Sequence, residues 1–450
     1  MSRRPGLTTG PASGFDVTEV ERELLARWPE TRIAPSLERI RAVMEVLGQP
    51  QHNYRSIHIT GTNGKTSTAR MVEAILLELG SKVGRFTSPH LTDIRERISL
   101  GGRPISRGGF VRAYRDVLPA AEAVDRTRPT PLSFFEMTVA MAYQAFATAQ
   151  VDVAAVEVGM GGRWDATNVI DGEVAAILPV GLDHVDHLGP TTLDIAAEKA
   201  GIIKPGALAV TARQTPDVEQ LLRAHADAHL ARLMVEGRDF RLSERRTYGV
   251  GQIISVDGLA GLYPEVPLSL HGRHQAHNAV LAIASVEAFL GEAIPIDGLR
   301  RALGSVRSPG RLEVLRGAPA VILDAAHNPD GARALAAGLA DLGGRPTVAV
   351  VAALSDKDLA GMLAELEPVV TTMICTRNGS PRSLSARDTA AVACGFLGAD
   401  RVVEIDDLGD ALLEATSVAS TLSAGDGGPA QVLVTGSVVT VGEARLLLGL

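Results

Sequence analysis

The chain is poor in cysteine and in aromatic residues, with only Cys375 and Cys394 and 4% Phe, Trp and Tyr together in 450 residues. Two thiols exclude a disulfide framework and a cysteine-ligated metal cluster, and their apolar neighbours suit buried structural thiols. No apolar run reaches the roughly 18 residues that would suggest a membrane span, and the opening MSRRPGLTTGPASG lacks the apolar core of a signal peptide. A cytoplasmic protein with no membrane partner is expected. No Lys/Arg block offsets the net charge of −8, which argues against nucleic-acid binding. An anionic ligand would need a local cationic site.

A chain of this length exceeds what one hydrophobic core usually serves, so two domains are expected. Residues 1–15, rich in Gly, Pro, Ser and Thr, read as a flexible tail, 16–304 as a first domain, 305–309 as a linker and 310–450 as a second domain. Helical spacing of apolar residues marks 17–28 and 37–47, with Ser36 as N-cap of the second, and again 67–79, 135–149 and 274–290. Between them, buried strands are expected at 56–59, 82–86, 151–158 and 173–180. Short β-rich runs over 233–270, with a turn at Asp257-Gly258, suggest a small antiparallel addition to the first domain. Further strands at 320–323, 347–351, 371–375, 402–405 and 431–435 alternate with helices in the second half. The fold class is therefore α/β: a phosphate-loop ATPase domain on a largely parallel sheet, plus a smaller Rossmann-like domain without a G-x-G-x-x-G fingerprint. Ligands of such sheets gather at the C-terminal strand ends.

The stretch Thr60-Gly61-Thr62-Asn63-Gly64-Lys65-Thr66 follows one of these strands and opens a helix. Glycines that turn N–H groups inward, a helix N-terminus and a lysine make a phosphate cradle, with Thr66 placed to meet Mg²⁺. Ile59 stands where the usual pattern has its first glycine, so the strand and helix on either side carry the assignment. Glu157 then ends a second strand ahead of V-G-M-G-G-R-W-D-A-T-N, and Gly181-Leu182-Asp183-His184 leaves a third. Glu157, His184 and Thr66 would emerge at one edge, where carboxylate, imidazole and hydroxyl suit a divalent cation. The segment 198–204 places Lys199 near that edge, as a site residue or as a snorkelling surface lysine. Asp324, His327 and Asn328 follow a strand of the second half, so closure of two domains would complete one site.

Taken together, TGTNGKTST (60–68), TSPHL with ERI (87–98), SFFE (133–136), EVGMGGRWDATN (157–168), GLDH (181–184), EKAGIIKPG (198–206), HQAHN (274–278), PGRLE (309–313), DAAHNPDG (324–331) and TGSVVTVGEAR (435–445) resemble the folylpolyglutamate synthase/dihydrofolate synthase family of the Mur ligase superfamily. The motifs run in family order over nearly the whole chain. The resemblance implies an ATP-dependent amide ligase that phosphorylates a pterin carboxylate and then adds L-glutamate, with ATP and Mg²⁺ as cofactors, acting as a monomer. It implies that Gly61 to Thr66, Asn278, Arg311 and Asp324 hold ATP, and that Ser88, Glu157 and His184 join the metal site. Lys199 matches a lysine carbamylated in the family. Phe134, Phe135, Trp164, Asp165 and Ala166 fall on the pterin cleft, and His327 and Ser437 near glutamate. Many members read G-K-G-S where this chain reads Gly64-Lys65-Thr66-Ser67, leaving Thr66 or Ser67 as the magnesium hydroxyl. Two other readings are a cell-wall Mur ligase acting on a UDP-linked precursor and a nucleotide switch without a ligase step.

Overall fold

The computed structural model describes residues 16–29, 35–249, 251–424 and 429–450. The expected tail at 1–15 lies outside them. Eight strands form the first sheet in the order Arg103–Pro104, Ile98–Leu100, Val83–Phe86, Val153–Glu157, Arg55–Thr60, Val174–Ile177, Leu208–Thr211 and Arg232–Val235. The last six run parallel and the two at the other edge antiparallel. Helices cover both sheet faces, so the strands Val153–Glu157 and Val174–Ile177 are almost wholly apolar, while in Arg55–Thr60 the buried Ser56, His58 and Thr60 hydrogen-bond to neighbouring segments.

A second, six-stranded sheet runs Glu313–Leu315, Ala320–Leu323, Gln431–Thr435, Thr347–Val351, Thr372–Cys375 and Val402–Glu404, parallel except for the first strand. The helix Ile296–Ser305 closes the first half, so Ser305 ends a helix, and Glu313 begins the second sheet.

Three sequence expectations change. The antiparallel addition was expected to open at 233, but residues 233–235 belong to Arg232–Val235, the parallel edge strand of the large sheet. Only Arg241–Tyr248, Gly251–Asp257 and Leu262–Leu268 form the antiparallel sheet. Leu37, not Ser36, caps the helix Glu38–Val46, although the Ser36 hydroxyl accepts from the Glu38 N–H at 3.1 Å. Cys375 is buried, whereas Cys394 is half-buried. No helix among the described residues is long and apolar enough to cross a membrane.

The small sheet is fastened to the helix Arg273–Leu290 through one buried carboxylate. Glu287 accepts from the N–H groups of Leu259 (2.6 Å), Ala260 (3.0 Å) and Gly261 (2.9 Å), and from the Tyr263 hydroxyl at 2.7 Å. The same helix carries Asn278 and packs on the helix that follows the phosphate loop. Glu287→Ala strands several buried donors and should lower unfolding free energy by about 3 kcal/mol in urea titrations. Nucleotide affinity should stay within about twofold, because Asn278 lies roughly 13 Å away along the helix axis.

Candidate active site between the two halves

Strand Arg55–Thr60 ends at a tight turn that enters the helix Lys65–Glu78. Gly64 caps that helix with φ +88°, and a Cβ there would lie 2.6 Å from Asn278 Oδ1. Gly61, at φ +150°, lies so close to Leu178 that a Cβ would fall 2.5 Å from the Leu178 Cβ. Glycine therefore permits both the turn and its contact with neighbouring strands. Thr62 laces the turn to the next strand end: its N–H donates to Pro179 O at 3.1 Å and its hydroxyl to Gly181 O at 3.0 Å.

Two lysines converge behind the turn. Lys65 Nζ donates to the carbonyls of Gly61 (3.0 Å) and Thr62 (3.1 Å), and Lys199 Nζ donates to the same Gly61 carbonyl at 2.9 Å. Burial lowers the Lys65 pKa, with Glu157 and Asp183 opposing the shift. Burial, with Lys65 repulsion next, pulls Lys199 down to about 7. Lys199 is 4% exposed, which excludes the snorkelling surface reading. It lies behind the loop, outside the walls of both cavities described below.

Glu157 is also buried, and burial raises its pKa against the pull of Lys65. Its Oε1 accepts from the Thr66 hydroxyl at 2.9 Å, while Oε2 has no partner among the described residues. An orphaned carboxylate oxygen beside Thr66, with Ser88 and His184 on the same wall, fits a divalent cation. No group of three His, Cys, Asp or Glu side chains among the described residues could hold a metal alone. Hydroxyls and ligand phosphates would have to complete the shell. Ser67 lines the same wall, but its hydroxyl is engaged elsewhere: it pairs with Ser308 at 3.0 Å and accepts from Gln275 at 3.2 Å.

Two cavities open from this edge. One, of about 760 Å³, is walled by Thr62 to Thr66, Ser88, Glu157, His184, Asn278, Arg311, Asp324 and His327. It gathers the expected nucleotide and metal residues except Gly61, whose carbonyl faces the two lysines. Asp324 spends its oxygens on backbone, accepting from Leu312 N–H at 2.7 Å and Ala326 N–H at 2.9 Å, so it also holds the turn carrying Arg311. The other cavity, of about 820 Å³, is walled by Trp28, Arg39, Phe135, Trp164, Asp165, Ala166 and Lys357, among others. Both share Ser88, Gly159, Gly181, Asp183, His184 and Asp330, so they meet at that point.

Two expected substrate residues are elsewhere. Phe134 is buried in the core beneath the Arg97 guanidinium, 4.8 Å from its ring centroid, and only Phe135 reaches the cavity. Ser437 is a buried N-cap that accepts from Thr440 N–H at 3.0 Å and lines neither cavity.

Sequence reasoning also missed the contacts between halves. Asn63 and Asn328 exchange amide hydrogen bonds of 3.1 and 3.2 Å, and Asp183 Oδ1 accepts from Lys357 Nζ at 2.7 Å. Burial pushes the Asp183 carboxyl up, but the His327 hydrogen bond and the charges of His184, His327 and Lys357 outweigh it and hold it far below the usual carboxylate range. The available signal was position, since Lys357 follows the strand Thr347–Val351 at the ligand-binding sheet edge.

Residues 59–286 match the Mur ligase middle domain, and residues 310–438 match the Mur ligase glutamate ligase domain. A dihydrofolate synthase/folylpolyglutamate synthase of Mycobacterium tuberculosis is 48% identical over 471 residues, covering 99% of this chain and 96% of that protein. The Mycobacterium tuberculosis folylpolyglutamate synthase structure complexed with ADP and AMPPCP aligns at a TM-score of 0.93 and 48% identity, over 96% of this chain and 98% of that one. E. coli FolC in complex with DHPP and ADP aligns at a TM-score of 0.83 and 29% identity, over 96% and 97%. The chain belongs to the dihydrofolate synthase/folylpolyglutamate synthase family of Mur ligases.

Lys199 sets a pH dependence. Its folded pKa of about 7 lies below the ordinary 10.5, so between those values the unfolded chain binds the extra proton and stability rises with pH. The slope from this group should approach ~1.4 kcal/mol per pH unit. Urea denaturation of the apoprotein in carbonate-free buffer at several pH values from 7 to 9 should show it, and Lys199→Met should remove that increment. An equal slope in both proteins would contradict the buried-ammonium assignment.

Proposed function

We propose that the chain is an ATP-dependent ligase joining L-glutamate to the carboxylate of dihydropteroate, tetrahydrofolate or its short polyglutamates. The meeting of two cavities at Ser88, Gly159, Asp183 and His184 carries this reading, because it lets a carboxylate in one reach the terminal phosphate of a nucleotide in the other.

The carboxylate oxygen attacks the γ-phosphorus, the bond to the β-phosphate oxygen breaks, and ADP leaves an acyl phosphate. The glutamate amine then attacks the acyl carbon, phosphate departs with the bonding pair, and the amine proton is released. Lys65 and Arg311 neutralise charge on the transferring group. Mg²⁺, held by Thr66, Glu157, Ser88 and His184 with the phosphates, would supply further neutralisation. Asn278 and Asp324 orient the nucleotide, while Phe135, Trp164, Asp165 and Ala166 seat the pterin. His327 borders the glutamate. Enclosure between the halves keeps the acyl phosphate from water.

Lys199 acts as its carbamate in this reading. An amine with a pKa near 7 is substantially neutral at working pH, so it can attack CO₂ to give a carbamate and a proton. That exchanges a neutral amine beside Lys65 for an anion. ADP release should therefore depend on L-glutamate with dihydropteroate or tetrahydrofolate as acceptor, and should rise with added bicarbonate, with products resolved by mass. Glutamate-independent nucleotide hydrolysis with neither acceptor extended would overturn the reading.

A further inference from the structure

We propose that Asp183 is the positioning residue that seats the second half on the nucleotide half for the amide-forming step. This rests on the ligase reading above.

The Asp183 side chain is 9% exposed, and most of its partners come from the other half. Lys357 Nζ donates to Oδ1 at 2.7 Å, Asn328 Nδ2 donates to Oδ2 at 3.2 Å, and His327 Nε2 lies 3.6 Å from Oδ2. Within its own half, the imidazole facing it is His184, with Nε2 3.8 Å from Oδ2. Separation of the halves would therefore remove its Lys357, Asn328 and His327 contacts together. Lys357 is equally enclosed, at 9% exposure, so the ion pair forms with both charges largely withdrawn from water. Removing one partner of such a pair leaves the other uncompensated.

Asp183 is also tied to the nucleotide cradle. It follows Gly181, whose N–H donates to the Thr62 hydroxyl at 3.0 Å while its carbonyl accepts from that hydroxyl. A shift of the phosphate turn thus carries Asp183 with it, and Asp183 carries Lys357 and His327. Asn63 of the turn itself grips Asn328 alongside. Occupancy of the cradle is in this way linked to the placement of two cationic or hydrogen-bonding side chains where the cavities meet. The turn, Lys65 and the helix N-terminus hold phosphate from the first half, with Arg311 and Asp324 added from the second, whereas capture of the acyl phosphate by an amine depends on the placement of Lys357 and His327.

The test compares the parent with Asp183→Asn, Asp183→Glu and Lys357→Met. Hydrogen exchange of segments 324–331 and 352–359 should rise at least tenfold in Asp183→Asn, with affinity for ADP kept within a few-fold. In steady state the glutamate KM should rise more than tenfold, and ADP released per amide formed should exceed the parent ratio, because acyl phosphate escapes to water. Asp183→Glu should recover part of both effects, and Lys357→Met should reproduce the split without a further loss in the double variant. Unchanged exchange and an unchanged glutamate KM in Asp183→Asn would overturn the proposal, as would loss of ADP binding in step with turnover. Faster exchange in the variant of a parent that shows no glutamate-dependent turnover would refute the ligase reading while sustaining the seating role.

Discussion

The Gly61 carbonyl, shared by the ammonium groups of Lys65 and Lys199, is the contact on which the site depends. One carbonyl dipole does not offset two enclosed ammonium groups, so balancing their charge falls to the nearby carboxylates of Glu157, Asp183 and Asp165. Polyphosphate relieves the Lys65 half of that charge, and deprotonation or carbamate formation relieves the Lys199 half. Burial is the main cause of the strong fall in the Lys199 pKa, with Lys65 repulsion adding to it, and Glu157, with one oxygen unpaired, is a counterweight to Lys65. Anion binding at this turn is thus favoured by charge already in place as well as by the helix N-terminus.

Parallel strands place that charge at one sheet edge, and the second half brings a second sheet edge against it. Arg311, Asp324 and His327 complete the nucleotide cavity, Lys357 the larger one, and none is close in sequence to the phosphate turn. A reactive acyl phosphate requires enclosure during its lifetime and access before and after it. A site split between two α/β halves meets both demands with small contacts such as the Asn63–Asn328 pair.

Much of this was legible in the sequence, for physical reasons. Strands such as Val174–Ile177 and Thr347–Val351 are covered on both faces, so they read as apolar runs, and the glycine turn declares itself through the strand and helix around it. The strands Ile98–Leu100, Arg103–Pro104 and Glu313–Leu315 are too short to carry a period. Whether Arg232–Val235 pairs parallel with a distant strand or antiparallel with its neighbours is a non-local choice that a short apolar run does not encode. Phe134 and Phe135 show the limit of reading motifs without helical geometry: consecutive helix positions point about 100° apart, so one ring reaches the cavity and the other enters the core. The Asp183–Lys357 pair joins residues 174 positions apart, and nothing local to either announces the other.

The central claim is that the acceptor carboxylate is phosphorylated where the two cavities meet. Turnover of dihydropteroate labelled with ¹⁸O in its carboxylate, with ATP and L-glutamate, followed by mass analysis of the released phosphate, tests it directly. The account predicts one ¹⁸O atom transferred to phosphate for each amide formed. Unlabelled phosphate accompanying labelled amide would show that the bond forms without an acyl phosphate and would contradict it.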